Sequence, residues 1–235
     1  MIVYTAVGKM NLNKKSNHKV PIEVCSDGKT KELNIQEMIL WSVLVNRVLS
    51  KEDLMEMYYK KIDAFLFTIE KVFERDFEKT LQRLRTRNLI VQGEGHTCDE
   101  AVYNLVKNLY ITPMQTGLWY KINGFFYLCF QKHVPIGYAV KVFQPYQFTK
   151  EEAYVLKLVK QTQMNSAEVI QCAEMRITDV SSNKKLMKAL YDDHTTTCYN
   201  ICHKAKHCQQ RTVIIKAILQ LYKTGFIRFE NLEYK

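Results

Sequence analysis

Residues Thr68–Gly95 read TIEKVFERDFEKTLQRLRTRNLIVQGEG, and the pattern within them decides the architecture. Ile69, Phe73, Phe77, Leu81 and Leu84 follow one another at steps of four, four, four and three, which draws one apolar stripe along a helix. A helical residue turns about 100° from its neighbour, so Lys71, Arg75, Lys79, Gln82, Arg83 and Thr86 fall on the opposite face. The spacing therefore predicts a helix over Thr68–Arg87 with an apolar inside and a basic outside. Asn88 follows, a residue that tolerates the left-handed conformation that ends a helix. Leu89–Gln92 reads as a short strand and Gly93-Glu94-Gly95 as a tight turn.

The stretch before it supplies two more helices. Asn34 is placed to cap the first, in which Ile35, Met38, Ile39, Ser42, Val43 and Val45 mark an inward face. Ser50-Lys51-Glu52-Asp53 has the form of a capping box, and Leu54, Met57, Tyr58 and Ile62 give the next helix its buried side. Ile2–Val7 and Val20–Cys25 read as strands separated by the polar loop Lys9–His18, a small leading hairpin. Two helices, a third basic helix, a strand and a turn come in this order, and TLQRLRTRNLI resembles the recognition-helix-to-wing segment of winged-helix DNA-binding proteins. The segment Asp63–Phe67 is more apolar than a usual helix-turn-helix connection. The resemblance implies a helix in the major groove, with Arg75, Lys79, Gln82 and Arg83 nearest the bases and Lys71 on the same face. Arg85, Arg87 and a wing near His96 would then hold phosphates.

Beyond the turn, Asp99–Leu109 has helical spacing and Pro113 closes it. Leu118–Ile122 and Phe125–Phe130 flank Asn123-Gly124, the strongest short-range hairpin signal in the chain. Gly137–Val142 and Tyr146–Phe148 extend this aromatic, β-rich patch. Thr149-Lys150-Glu151-Glu152 opens a helix running to about Gln163, Ala167–Met175 forms another, and the polar run Thr178–Lys185 reads as a linker. Helices are then expected at Leu186–Tyr191, Thr196–Lys206 and Arg211–Lys223, with Gly225 as a helix terminator and Phe226–Phe229 as a strand. ILQLYKTGFIRFE repeats the spacing of LQRLRTRNLIVQG, which predicts a second unit of the first kind with Arg211 and Lys216 on its outer face. The expected fold class is α+β, mainly helical, with two winged-helix-like units. They are the N-terminal unit 1–112 and the C-terminal unit 178–235, joined by a β-hairpin-containing middle segment 113–177.

Composition narrows the function. The 235 residues carry a net charge of +10, which favours a polyanionic partner, and 47% hydrophobic residues exclude a disordered chain. No apolar run approaches the roughly 20 residues needed to span a bilayer. The N-terminal MIVYTAVGKMNLNKK places its charges after its apolar residues, the reverse of a secretory signal, so a cytoplasmic location is expected. Seven cysteines, an odd number, read as reduced thiols. His194, Cys198 and Cys202 lie at helical spacing with His203, His207 and Cys208 nearby, but His203 and His207 fall about 100° round the helix and define no tetrahedral set. No metal and no cofactor are expected. GxGxxG, GxxxxGK[ST] and GxSxG are all absent, and the acidic pairs sit at helix ends, so the chain is not expected to be an enzyme. The expectation is a homodimeric transcription regulator that binds double-stranded DNA by sequence. A plasmid replication initiator, or a protein-interaction module using the aromatic middle sheet, are the alternatives.

Overall fold

Strand β1 (Ile2–Ala6) lies at the centre of the first sheet, between β5 (Leu49–Ser50) and β6 (Ile90–Glu94), antiparallel to both. Its register sets Tyr4 opposite Leu49 on one side and opposite Gln92 on the other. In this computed structural model the described residues are 1–11, 22–26, 28–66, 76–114, 135–139, 143–191 and 195–231. Alternation along β1 serves two cores at once. Tyr4 and Ala6 enter one cluster and Val3 and Val7 the other, which is why the strand reads as an unbroken buried run.

The first core is closed by α1 (Ile35–Leu44), α2 (Lys51–Leu66) and α3 (Phe77–Thr86). A second antiparallel sheet of β2 (Lys9–Asn11), β3 (Ile22–Ser26) and β4 (Lys29–Leu33) covers its edge through Val24 and Leu33. After β6 the chain enters α4 (Cys98–Val106) and then β7 (Tyr110–Pro113), the central strand of a third sheet. A single turn, α5 (Ile136–Ala139), precedes α6 (Lys150–Gln161), β8 (Met164–Asn165) and α7 (Ser166–Glu174). Helices α8 (Asn183–Leu190), α9 (Cys198–Lys206) and α10 (Arg211–Lys223) lead to β9 (Ile227–Glu230). Among the described residues no helix is long and apolar enough to cross a membrane.

The fold is thus α+β with small antiparallel sheets, and its two halves repeat. The sheet orders β5-β1-β6 and β8-β7-β9 are the same arrangement. One interval separates Asn34 from Thr149, Glu37 from Glu152, Ser50 from Asn165 and Asp53 from Glu168, and each pair caps corresponding helices. The buried positions follow it too: Leu40, Trp41, Val43 and Leu44 in α1 match Val155, Leu156, Leu158 and Val159 in α6. The ends of α3 and α10 also agree. Leu89 N–H bonds Leu84 O and Asn88 N–H bonds Arg85 O, while Phe226 N–H bonds Leu221 O and Gly225 N–H bonds Tyr222 O. Asn88 and Gly225 both take positive φ, 51° and 75°, as the end of the helix demands.

Several expectations change. The basic helix begins at Phe77, not Thr68, because the Asp76 side chain accepts the Lys79 N–H and caps it. Gly93-Glu94-Gly95 is not a hairpin turn: β6 pairs with the N-terminal strand, and the chain runs on into α4. A Cβ at Gly93 would lie 2.2 Å from Ala101 O and one at Gly95 2.5 Å from Ala101 N, so these glycines admit α4 against the strand. β1 and β3 do not form a leading hairpin, since each pairs within its own sheet. Pro113 ends no helix and instead lies in β7, opposite Ile227. Gly137 belongs to the α5 turn. The run Thr178–Lys185 is pinned: Val180 is buried and its N–H bonds Gln161 Oε1, while Lys185 pairs with Asp179 at 2.5 Å. α4, α6 and α7 share one core with α10 and β9, so the second repeat starts at β7 and not after residue 177. The Asn123-Gly124 hairpin and the segment Leu118–Phe130 lie outside the described residues.

The halves meet at Tyr222. Its hydroxyl accepts from Thr5 Oγ1 at 3.0 Å and lies 3.1 Å from Ala6 O and 3.3 Å from Leu44 O. Burial pushes this phenol up to about 12. Gly8 N–H donates to Phe229 O nearby and carries the contact from one half to the other.

Candidate nucleic-acid interface

Helix α3 is amphipathic by construction. Phe77, Thr80, Leu81 and Leu84 are buried against α1 and β6, and Thr80 Oγ1 returns its proton to Asp76 O at 2.8 Å. The opposite side exposes Lys79, Gln82, Arg83 and Thr86, at i, i+3, i+4 and i+7, one continuous stripe. Glu78, at the start of the helix, is paired with Lys51 at 2.8 Å. Two cations, a carboxamide and a hydroxyl therefore share a solvent-facing row. A carboxamide and a guanidinium are the groups that pair bidentately with adenine and guanine edges.

The remaining candidates are placed otherwise. Arg85 is half-buried and donates to Gln82 Oε1 at 3.4 Å. Arg87 is turned inward: its guanidinium pairs with Glu37 Oε2 at 2.9 Å and also donates to the Glu32 carbonyl, tying the end of α3 to α1 and β4. Lys31 Nζ completes this knot on Arg87 O at 2.5 Å. Arg87 is thereby engaged within the fold. His96 is exposed in the loop leading to α4, its N–H donating to Glu100 Oε2 at 3.0 Å, so it sits at a helix entrance and not at a wing tip. Lys71 and Arg75 lie outside the described residues, before the cap that starts α3.

In the second repeat, Arg211 is also inward. It donates to Lys206 O at 2.5 Å and its guanidinium stacks 5.7 Å from the centre of the Tyr103 ring. Lys216 is exposed in mid-helix, with Gln220 and Lys223 on the same side. Counted back from Asn88 and Gly225, Lys79 and Lys216 occupy the same place, Arg83 corresponds to Gln220, and Thr86 to Lys223. Lys223 was not among the residues singled out from the sequence. Its position became legible only once the two helix ends were superposed through their shared hydrogen bonds.

The Cys/His group divides between the interior and the surface, with Cys202 buried and Cys198 and Cys208 half-buried. Cys202 Sγ donates to Asn108 Oδ1 at 3.2 Å, and its thiol is held protonated by a hydrogen bond with Cys198 and by burial. Cys198 Sγ accepts from Asn165 Nδ2 at 3.4 Å, and Cys208 Sγ from Gln171 Nε2 at 3.0 Å. His203 and His207 lie side by side on the exposed side, ring centres 5.2 Å apart and planes tilted by 55°. His194 lies outside the described residues. Among the described residues no three His, Cys, Asp or Glu side chains are grouped to hold a metal ion.

No family model, curated protein or solved structure matches the chain.

Proposed function

We propose that this protein binds double-stranded DNA by sequence and acts in transcription regulation, without chemistry of its own. One observation carries the reading: two repeats each end in a helix with a buried apolar stripe and an exposed cationic row, Lys79-Gln82-Arg83 in one and Lys216-Gln220-Lys223 in the other. Each such helix runs into the edge strand of a three-stranded sheet, the order of elements that a winged helix uses, with the strand before the helices standing where a wing's returning strand would lie. Gln82 and Arg83 would read base edges, and Lys79, Lys216 and Lys223 would neutralise phosphates. The net charge of +10 supplies the long-range attraction. A homodimer belongs to the same proposal and is measured by sedimentation of the free protein.

Duplication within one chain favours a second role for the same interface, that of a plasmid-type replication initiator, because such proteins pair two winged-helix units and the two repeats here are read as units of that kind. A protected palindrome upstream of a gene supports the regulator, and iterated direct repeats at an origin support the initiator.

The test is a set of titrations on DNA fragments selected by the protein, each at several salt concentrations. Gln82→Ala or Arg83→Ala should narrow the gap between selected and random DNA by about 1–3 kcal/mol. Lys216→Ala should weaken both alike and reduce the salt slope by about one unit. If all three variants bind both DNAs as the parent does, the rows are only solvated helix faces and the reading fails.

A further inference from the structure

A second surface is built from residues outside the exposed rows of α3 and α10. Between α4 and α9 the chain leaves a cleft of about 700 Å³ whose lining includes Lys107, Asn108, Tyr199, His203, Lys206 and Asn231. That volume falls within the range of pockets that enclose a small organic ligand. We infer that this cleft holds one nucleotide unit, its base stacked on Tyr199 and its phosphate held by the cationic side.

Charge comes first. Among the described residues no acidic side chain lines the cleft. Of its cations, Lys206 is already neutralised by Glu100 at 2.9 Å, whereas Lys107 Nζ donates to the neutral Asn104 Oδ1 at 3.0 Å and pairs with no carboxylate among the described residues. His203 is exposed beside them. The cleft therefore favours an anion. Shape comes second. Tyr199 is 78% exposed, the highest exposure among the large hydrophobic side chains of the described residues, and it makes no hydrogen bond among those residues. A solvent-facing ring beside this cleft is a platform for a planar heterocycle, and a simple inorganic anion would have no use for it. Donor pattern comes third. Asn108 Oδ1 is engaged by the Cys202 thiol at 3.2 Å, which orients its carboxamide and leaves the NH₂ group unbonded among the described residues. Asn231 has neither donor nor acceptor engaged among them. Carboxamides supply the paired donor and acceptor that a base edge matches and that an aromatic carboxylate lacks.

The same chemistry is presented by a free nucleoside phosphate and by one residue of a single strand, and calorimetric titration separates the sources. The full chain is titrated with ATP, GTP, CTP and UTP, and separately with a short single-stranded oligonucleotide of mixed sequence. Binding of a nucleoside triphosphate identifies a free ligand, and binding of the strand alone identifies a strand residue. Either supports the inference, provided that Tyr199→Ala weakens it roughly 5- to 150-fold, the range that loss of one base-stacking contact produces. Lys107→Ala should weaken it as well and flatten its dependence on salt. Tyr199 is solvent-facing, so its variant keeps the parent's melting temperature, and Lys184→Ala on α8 serves as the charge control. Absence of binding by every nucleotide and strand at millimolar concentration overturns the inference, as does binding that Tyr199→Ala and Lys107→Ala leave unchanged. Duplex titration of the Gln82 and Arg83 variants is a separate measurement, so either reading can fail without the other.

Discussion

Replacing Arg87 by alanine should cost folding stability before it costs DNA affinity. The guanidinium is 33% exposed, but its partner Glu37 is only 6% exposed, and the pair spans 2.9 Å. Removing one member of a buried pair costs about 3–5 kcal/mol when the charge left behind has nothing else. Glu37 has something: its Oε2 also accepts the Asn34 N–H at 3.1 Å. Water reaches Arg87 over a third of its surface, which screens the attraction further. Together these reduce the expected loss to roughly 2 kcal/mol, including the donor lost to the Glu32 carbonyl. For a chain of this length that corresponds to a fall in melting temperature of about 4–8 °C. Urea denaturation of Arg87→Ala, Glu37→Gln and the double variant forms a cycle, and the coupling should be about 1–2 kcal/mol. Arg87→Lys should fall between parent and alanine, because one ammonium cannot fork between a carboxylate and a carbonyl. An Arg87→Ala variant within 0.5 kcal/mol of the parent (the scatter of ordinary surface changes), yet binding duplex DNA more weakly with a shallower salt slope, would refute this reasoning and return Arg87 to the phosphate contacts. The second repeat is a natural control. Thr224 stands where Arg87 would, and Glu152 instead accepts the Tyr146 hydroxyl at 3.3 Å.

Three further perturbations probe the frame. Gly93→Ala would place a Cβ 2.2 Å from Ala101 O and 2.4 Å from Leu105 N, both backbone, so α4 must lift from β6; a loss of about 3 kcal/mol or more is expected in denaturation, and a neutral result would contradict the packing. Tyr222→Phe deletes the hydroxyl shared by Thr5, Ala6 and Leu44 and should cost about 1–3 kcal/mol, read as earlier hydrogen exchange of β1 amides. Glu168 is buried in the cap of α7, and burial raises its carboxyl above the usual range against the opposing bonds from Asn165 and Tyr191. The folded state thus holds this proton more tightly than the unfolded state, so its contribution is present at low pH and lost as pH rises from the ordinary carboxylate value through the raised one. Glu168→Gln, which keeps the capping acceptor, should flatten that part of the stability–pH curve; an unchanged curve would show that Glu168 does not titrate there.

Local chemistry was legible in the sequence wherever one stretch of chain carries its own instruction. The caps at Asn34, Ser50 and Thr149 are local patterns of side-chain oxygen and following acid, and the helices start where they predict. The stripe Phe77-Leu81-Leu84, the helix ends at Asn88 and Gly225 and the strands that follow were legible for the same reason, as was the exposure of Lys79, Gln82, Arg83 and Lys216. Even so, the stripe ran past the true start of α3, because Ile69 and Phe73 continue the apolar spacing while Asp76 caps the backbone. A period says which face is apolar and is silent about where the helix is cut.

What only the tertiary structure decided is pairing between distant segments. Nothing near Gly93 or Gly95 announces that α4 will cross within contact of their backbone, so the glycines read as a turn until the neighbour is known. Nothing near Ile2 says that β1 will lie between β5 and β6 and divide two cores. The fate of Arg87 and Arg211 depends likewise on Glu37 and Tyr103, far away in sequence, and an arginine's charge alone does not distinguish an internal clamp from a surface contact. The second repeat was half visible, as a matching helix end. Its other half, from β7 through α7, emerged when the sheet order and the buried capping acids were set side by side. Helix spacing and caps are encoded within a few residues, whereas strand order and ion pairing are settled by which surfaces can bury one another when the whole chain closes.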